Sequence, residues 1–474
     1  MALPILGDSV KPKGIVVFSG GSAANNLVDV FKNVAERKEC SLSYVIPISD
    51  NGGSTSELIR VFGGPGIGDL RSRLVRLIPE NGDRERAAIK TFFNHRLCLH
   101  ADDARHEWLD IVEARHELWK GISSEKKELI RSFLNLLNLE IVKRVRPTST
   151  FSFSSASIGN LFLTGARLFS GSLESAIYLL SSICGVPPNT CVLPAINTNF
   201  SHHISAGLAD GTCITGQNAI SHPSEPTALP DMTSPAGQET EDHDFIEDAN
   251  LPGSLPTLRK QNIIFSKTEE EDLPARIDRI WYINPYGQEI RPPANPKVVA
   301  TIENDSQAVV YSIGSLYTSI IPSLILRGVG AAIAQTAAVR HKVLILNSTV
   351  DRETGPSAQP FSATDFVAAI AKAGAESRAR GGADAITPFE YRKYVTHVIH
   401  LVGAGTPVVD RAELAALGIE TVRLYGRRAG GGGEGKGEGF LRYDENALTQ
   451  ALEVVIGGGK DLRGDRSRRN TLDN

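Results

Sequence analysis

Short apolar runs alternate with amphipathic stretches along the first 80 residues of the chain. Gly14–Phe18 and Ser43–Ser49 are strand-like runs, and Ala23–Glu36 between them has apolar residues at helical spacing. Further helical patterns cover Glu57–Phe62 and Asp69–Ile78. Strands that alternate with helices form right-handed βαβ units. The pattern therefore predicts an α/β fold with a mostly parallel sheet.

This alternation is interrupted and then resumes. Residues 83–147 are rich in charge, and Leu129–Arg144 within them has helical periodicity, which predicts a helical insertion. Two runs flank Asp210-Gly211 and predict a small β-hairpin. The segment Pro322–Ala338 is predicted to be largely helical. The other elements predicted after the insertion are helices over Ile158–Phe169 and Leu173–Cys184 and strands over Cys191–Ile196, Ile280–Ile283, Val309–Ile313, Lys342–Leu346 and Thr396–Leu401, the last being the final core strand.

Two segments have compositions that do not support a packed core. Residues 223–257 are rich in Pro, Ser, Asp and Glu, which predicts a disordered loop, and residues 429–439 are almost all glycine. We therefore divide the chain into an α/β nucleotide-binding domain over 14–402, a helical insertion over 83–150, a disordered acidic and proline-rich loop over 223–262, and a glycine-rich C-terminal extension over 403–474.

Composition and charge exclude several classes of protein. The 474 residues include 50 Lys and Arg against 54 Asp and Glu, a balance that argues against a generally basic nucleic-acid-binding surface. No apolar run approaches the roughly 18 residues of a membrane span, and residues 1–13 do not resemble a signal peptide. The five cysteines include no CxxC pair, so we expect reduced thiols. We expect a cytoplasmic protein without a nucleic-acid or membrane partner, and the sequence leaves a homodimer open.

Four loops rich in glycine, hydroxyl or amide groups each follow a predicted strand: Ser19–Ser22, Asp50–Thr55, Asn197–Asn199 and Ser312–Ser319. The carboxyl ends of parallel strands share one edge of a sheet, where ligands bind. Glycines let the backbone approach an anion, and free N–H groups at a helix start donate to phosphate oxygens. Each loop alone is equally explained as an ordinary turn, but the four together favour a phosphate-bearing ligand.

Two aspartates are the candidate catalytic and metal-binding residues. Asp50 can hold a divalent cation or orient an attacking hydroxyl, and it can equally form an Asx-turn. Asp69 follows a glycine-rich loop, so it can be the partner carboxylate to Asp50 or the N-cap of the next helix. Arg71 lies close enough along this helix to contact a phosphate, whereas we interpret Arg73 and Arg76 as solvated.

The segment Gly314–Ser319 carries three serine or threonine hydroxyls, of which helix capping explains one. Tyr317 can stack on a base or pack in the core. The candidate nucleotide-binding residues that these loops and Arg71 supply are Gly20, Gly21, Ser22, Asn51, Gly52, Gly53, Ser54, Thr55, Arg71, Asn197, Gly314, Ser315, Leu316, Tyr317, Thr318 and Ser319.

Six motifs, taken as an ordered set, resemble the CofD-like family, which includes 2-phospho-L-lactate transferase and the YvcK-type gluconeogenesis factors. These motifs are Ser19–Ser22, Ser49–Thr55, Gly68–Arg71, Ser157–Leu161, Leu193–Asn197 and Gly314–Pro322. The sequences of the second and sixth motifs look more like the YvcK branch. The helical insertion and the acidic loop look like a eukaryotic branch of it.

The resemblance implies a Rossmann-like three-layer fold that binds a nucleotide diphosphate derivative, and it adds Gly159 and Asn160 to the nucleotide-binding set. It also implies Mg²⁺ as a candidate cofactor at Asp50 and Asp69, and no redox cofactor is expected. Three functions stay open: a YvcK-type factor that binds a UDP-sugar, a transferase of the 2-phospho-L-lactate type, and a scaffold that uses the insertion as its contact surface.

Overall fold

A parallel sheet of seven strands forms the centre of the computed structural model, which describes residues 13–21, 23–144, 150–221, 272–378, 386–429 and 440–457. The strands are β1 (Gly14–Phe18), β2 (Leu42–Ile46), β3 (Thr190–Pro194), β4 (His203–Leu208), β5 (Cys213–Thr215), β6 (Ile277–Ile283), β7 (Glu289–Ile290), β8 (Ser306–Tyr311), β9 (His341–Ile345), β10 (His397–Leu401), β11 (Glu420–Leu424), β12 (Gly426–Ala429) and β13 (Phe440–Tyr443).

The helices of the described residues are α1 (Val28–Arg37), α2 (Ser54–Phe62), α3 (Gly68–Arg76), α4 (Arg84–Asn94), α5 (Ala101–Val112), α6 (Ser124–Arg144), α7 (Ile158–Ser170), α8 (Leu173–Cys184), α9 (Gln217–Ser221), α10 (Pro296–Asp305), α11 (Ile321–Leu324), α12 (Val329–Gln335), α13 (Ala363–Arg378), α14 (Arg411–Ala416) and α15 (Glu445–Gly457). Among these helices, none is long and apolar enough to cross a membrane.

The direction in which successive strands are added to the central sheet reverses at β1. The strands lie in the order β11-β10-β9-β8-β1-β2-β3, and every neighbouring pair is parallel. The chain builds outward from β1 to β3, returns to β8 on the other side of β1, and then builds outward again. In open α/β sheets a ligand binds at such a reversal, outside the carboxyl ends of the strands. The topology therefore directs attention to the loops after β1 and β8.

The predicted α/β fold class is confirmed, including the three-layer arrangement of helices about a parallel sheet. Strands β1 and β2 are buried at every position, as expected for a sheet that is covered on both faces. The predicted helical insertion contains α4, α5 and α6. The predicted hairpin is formed by β4 and β5, which join β6 and β7 in a separate antiparallel sheet.

Two predictions about elements were wrong. Strand β10 is not the last strand of the sheet, because β11 pairs with it in parallel. Strand β11 has the sequence ETVRL and is only partly buried at the edge, so it lacks a continuous apolar run. The segment Pro322–Ala338 is not one helix, because Gly328, at φ +102°, separates α11 from α12.

Some predictions concern residues outside the ranges that the structure describes. Ser22, the acidic loop over 223–262 and the glycine-rich residues 430–439 lie there.

Candidate functional site

The loops after β1 and β8 meet the start of α3 at the reversal of strand order. A Cβ on Gly21 would overlap the Asp69 carboxylate, and a Cβ on Gly20 would overlap the Ser319 hydroxyl. The backbone N–H of Gly21 donates to Asp69. Because no side chain fits between these groups, glycine is required at both positions, and the backbone after β1 lies directly against a carboxylate. We call this place the switch-point crevice.

Asp50 and Asp69 share this crevice. A Cβ on Gly68, the residue before Asp69, would lie 3.0 Å from Asp50 Oδ2 and 3.3 Å from Thr55 Oγ1. The N–H of Gly52 donates to Asp50 Oδ1 at 3.0 Å, so the Asx-turn expected as an alternative is present. Asp69 does not cap α3, which begins at Gly68 and has no side-chain cap. The structure thus brings the two predicted carboxylates together and gives Asp69 no capping role.

The protonation of these carboxylates reflects their surroundings. Burial, and then repulsion by Asp69, raise the pKa of Asp50 to about 7. Burial also raises the pKa of Asp69, although Arg73, the Gly21 N–H and Arg71 act in the opposite direction. Both side chains keep part of their surface open to the crevice. Two neighbouring carboxyl groups of this kind titrate as a pair and hold a proton near neutral pH.

Arg73 is the first correction to the predicted site, because it is buried and not solvated. Its guanidinium donates to the Ser19 hydroxyl at 3.2 Å and to the Gly20 carbonyl at 3.1 Å, and it lies over the ring of Tyr44. Arg73 therefore holds the loop after β1 from beneath. Arg76, the other arginine expected to be solvated, forms an ion pair with Asp29 at 2.5 Å.

Asn160 joins α7 to the loop after β2. Its side-chain N–H donates to Ser54 Oγ at 3.1 Å and to Thr55 Oγ1 at 3.4 Å, and its Oδ1 accepts from Arg71 Nε at 3.2 Å. Gly159 packs against the Arg71 stem, where a Cβ would lie 2.7 Å from two of its carbons. The predicted residues of α2, α3 and α7 thus form one wall of the crevice.

The loop after β8 is the second correction. The hydroxyl and N–H of Thr318 and the N–H of Tyr317 donate to the buried carboxylate of Glu353, at 2.6, 3.0 and 2.8 Å. The Tyr317 hydroxyl donates to a carbonyl of β6, and its side chain and that of Leu316 are buried. These groups support a π-helical turn over Leu316–Ile320 and are not free to bind a phosphate.

The remaining predicted residues of the loop after β8, and Asn197 after β3, have different surroundings. Gly314, at φ +135°, pairs with Asn347 through two hydrogen bonds of 2.9 Å. Ser315 precedes the turn, and Ser319 reaches the switch-point crevice beside Gly20. Asn197 is exposed beyond the end of β3.

The loop after β2 has its own geometric demands. Gly53 has φ +54°, a conformation that favours glycine. The Asn51 side chain accepts from the N–H of Asn218 on α9 at 3.4 Å. This contact places α9, the helix that follows β5, against the loop after β2 at the edge of the central sheet.

Several buried polar atoms around the crevice have no hydrogen-bond partner. These atoms are Arg73 Nε, Ser157 Oγ, Asn218 Nδ2 and Ser312 Oγ. Unpaired buried polar atoms are rare and are expected where a ligand or water completes the site. Within the described ranges, no three His, Cys, Asp or Glu side chains converge on a metal position. The protein therefore offers a metal two carboxylates here, and the other ligands would come from water or substrate.

Comparison with known proteins places the chain in a family. The model of the family described as "2-phospho-L-lactate transferase CofD" matches residues 15–422. An uncharacterized protein of Saccharomyces cerevisiae is 40% identical over 406 residues, which is 82% of this chain and 90% of the yeast protein. The chain belongs to the CofD family.

More distant relatives agree with this assignment. A protein of Halalkalibacterium halodurans called "Gluconeogenesis factor" is 23% identical over 420 residues, 88% of this chain and 90% of that protein. The crystal structure of a UPF0052 family member from Bacillus halodurans is 20% identical, covers 93% of this chain and 98% of its own, and has a TM-score of 0.55. That structure shares the fold. The predicted resemblance to the CofD-like family is confirmed.

No motif in the sequence indicates the roles of three residues near the site. The sequence pattern favours a solvated Arg73, and it does not single out Arg167 or Glu353. Arg167 is buried and donates to the Gly63 and Asn199 carbonyls at 2.8 and 3.4 Å. Burial, and then the charge of Arg144, lower its pKa to about 10. An arginine on an apolar helix such as α7 was the one available clue, since such a residue needs a buried partner.

Proposed function

We propose that this protein binds a nucleoside diphosphate derivative of the UDP-sugar type, together with Mg²⁺, as a gluconeogenesis factor of the YvcK type. The observation that carries this proposal is the shared position of Asp50 and Asp69 against Gly20 and Gly21, where the order of the sheet reverses. The "Gluconeogenesis factor" relative, similar along most of both chains, supports the choice of branch.

The donor set fits Mg²⁺. This ion binds through one or two carboxylates and completes its coordination with water and substrate phosphates. Asp50 and Asp69 would supply the carboxylates, and a proton held by the pair near neutral pH would leave when the ion binds. Bound there, the ion would neutralise charge on a diphosphate. This chain's own residues contribute the close backbone approach at Gly20 and Gly21 and a guanidinium at Arg71.

Donor groups that could bind a phosphate lie at the same edge of the sheet. Arg71 is buried without an ion-pair partner among the described residues, since its Nε and Nη1 donate only to the amide oxygens of Asn160 and Asn94. A guanidinium held by amides keeps its charge for an anion. The unpaired Ser312 hydroxyl after β8 adds a donor at the same edge.

A transferase of the 2-phospho-L-lactate type is the second candidate, and the paired carboxylates favour it. One carboxylate that retains a proton and one that is ionised can hold or move a proton of an acceptor hydroxyl. Turnover of the nucleotide is the property that separates this candidate from a factor that only binds.

Calorimetric titration with UDP-N-acetylglucosamine, UDP-glucose, UDP and GDP, each with Mg²⁺, tests the proposal. We expect at least one to bind with a Kd well below about 1 mM, which corresponds to roughly −4 kcal/mol. If none binds more tightly than this, the nucleotide proposal is wrong. Incubation of the bound nucleotide with Mg²⁺ and a hydroxyl-bearing acceptor, followed by chromatography, then shows whether a nucleoside monophosphate is released, as the transferase candidate requires.

A further inference from the structure

The helical insertion reaches the switch-point crevice through one short extended segment. Arg96 forms an antiparallel bridge with Ser157, the residue just before α7. On either side, the Leu97 N–H donates to the Ala156 carbonyl at 3.0 Å, and the Ile158 N–H donates to the His95 carbonyl at 3.1 Å. Since α7 carries Asn160 into the crevice wall, the insertion is joined directly to that wall.

Glu107 of α5 holds both ends of this segment. One carboxylate oxygen lies 2.6 Å from His95 Nε2, and the other accepts the N–H of Cys98 at 2.8 Å. His116 lies on the same side, with Nε2 3.7 Å from the first oxygen. A short segment fixed at both ends by one carboxylate presents its two middle residues, Arg96 and Leu97, in defined positions. Leu97 is buried, and the exposed one is Arg96.

Arg96 and Arg71 lie at the same junction between the insertion and α7. Asn94, two residues before Arg96, accepts from Arg71 Nη1 at 3.2 Å. Arg71 Nε donates to Asn160 on α7, and Arg96 pairs with Ser157 three residues earlier, so both arginines flank the same stretch of chain at the start of α7. In the described part of the chain neither arginine forms an ion pair, and Arg96 donates only to the Ser155 carbonyl. Two neighbouring guanidiniums without an ion-pair partner are the arrangement that an oxyanion stabilises.

We propose that Arg96, supplied by the helical insertion, forms with Arg71 an anion-binding subsite for a phosphate group beside Asp50 and Asp69. The proposal that a phosphate binds here stands on the two arginines, and only the identity of the ligand that carries the phosphate rests on the proposed function. A phosphate there comes either from the nucleotide diphosphate or from a separate phosphate-bearing molecule. In both cases Arg71 contributes a buried charge, and Arg96 contributes an exposed charge that can move onto the ligand.

Calorimetry with inorganic pyrophosphate and with UDP-N-acetylglucosamine tests this subsite on Arg96→Gln, Arg96→Lys and the full-length parent protein. We expect Arg96→Gln to weaken binding about tenfold, or roughly 1.4 kcal/mol, and to reduce the salt dependence of binding, while Arg96→Lys recovers part of the loss. Arg105→Gln is the matched control, because Arg105 is exposed on α5 of the same insertion. We expect it to bind both probes like the parent.

The two probes separate the proposals. Loss of UDP-N-acetylglucosamine affinity in Arg96→Gln supports a subsite for the nucleotide diphosphate. Loss confined to pyrophosphate, in a protein that binds no nucleotide, supports the subsite and overturns the proposed function. Parent affinity for both probes in a folded Arg96→Gln protein overturns the subsite and leaves the proposed function standing. A parent protein that binds neither probe overturns the subsite, and titration with UDP-glucose, UDP and GDP then decides the proposed function.

Discussion

Gly21→Ala is expected to lower the affinity for UDP-N-acetylglucosamine and Mg²⁺ by at least about 100-fold. The new methyl group would occupy the position of the Asp69 carboxylate, so either that side chain or the loop after β1 must move. A displacement of about 1 Å at a reacting or binding group is enough to cost about 100-fold. Isothermal titration calorimetry measures the affinity, and thermal melting shows that the variant is folded.

Substitutions of two other glycines serve as comparisons for the loss of affinity in Gly21→Ala. Gly68→Ala places its methyl group 3.0 Å from Asp50 Oδ2, so a smaller shift and a smaller loss of affinity are expected. Gly207→Ala crowds the Trp281 ring to the same 3.0 Å in the separate antiparallel sheet and should leave the affinity unchanged. A folded Gly21→Ala protein with parent affinity would show that the ligand binds elsewhere.

Asp50→Asn is expected to make the protein more stable and to remove Mg²⁺-dependent ligand binding. The folded-state pKa of Asp50, about 7, lies above its unfolded value of 3.8, so between these values the folded protein binds more protons than the unfolded chain. The contribution of Asp50 to stability therefore falls as the pH rises through this window. Above pH 7 the buried negative charge costs free energy, and Asn removes that cost while it keeps the hydrogen bond from Gly52.

Chemical unfolding at pH 5 and pH 8 checks this expectation. The free energy of unfolding should rise by about 1–3 kcal/mol at pH 8, a part of the full pKa shift because the side chain is partly open to solvent, and by less at pH 5. Asp102→Asn, an exposed change in α5, is the matched control. A loss of stability in Asp50→Asn at pH 8, with ligand affinity retained, would mean that Asp50 serves the fold through its Asx-turn and not a ligand.

The sheet and its edge could be predicted because their signals are local. Buried parallel strands are continuous apolar runs, and the glycines at 20, 21 and 53 interrupt the pattern where the backbone must turn or approach closely. The rule that parallel strands end at one edge placed Asp50 there, and the glycine-rich loop before Asp69 indicated its partner carboxylate. These inferences need only the chain order and the alternation of elements.

The parts that could not be predicted depend on contacts between distant segments. Glu353 lies 35 residues from Thr318 in the chain, and nothing near it indicates that its carboxylate accepts the N–H groups of the loop after β8. Arg73 has a helical position that suits either solvent or the core, and only the loop after β1 decides between them. Strand β11 pairs at an edge, where a charged, alternating sequence gives no apolar run.

The Asp50 and Asp69 pair is expected to hold about one proton near neutral pH, which Mg²⁺ and a diphosphate displace. Calorimetry of UDP-N-acetylglucosamine binding with Mg²⁺ at pH 6.5, repeated in buffers of different ionisation enthalpy, measures the protons released. This nucleotide is the suitable probe because its diphosphate has no group that titrates near neutral pH. We predict release of about one proton per protein, and neither release nor Mg²⁺ dependence in Asp50→Asn. Binding by the parent protein that is independent of Mg²⁺ and releases no proton would contradict the account.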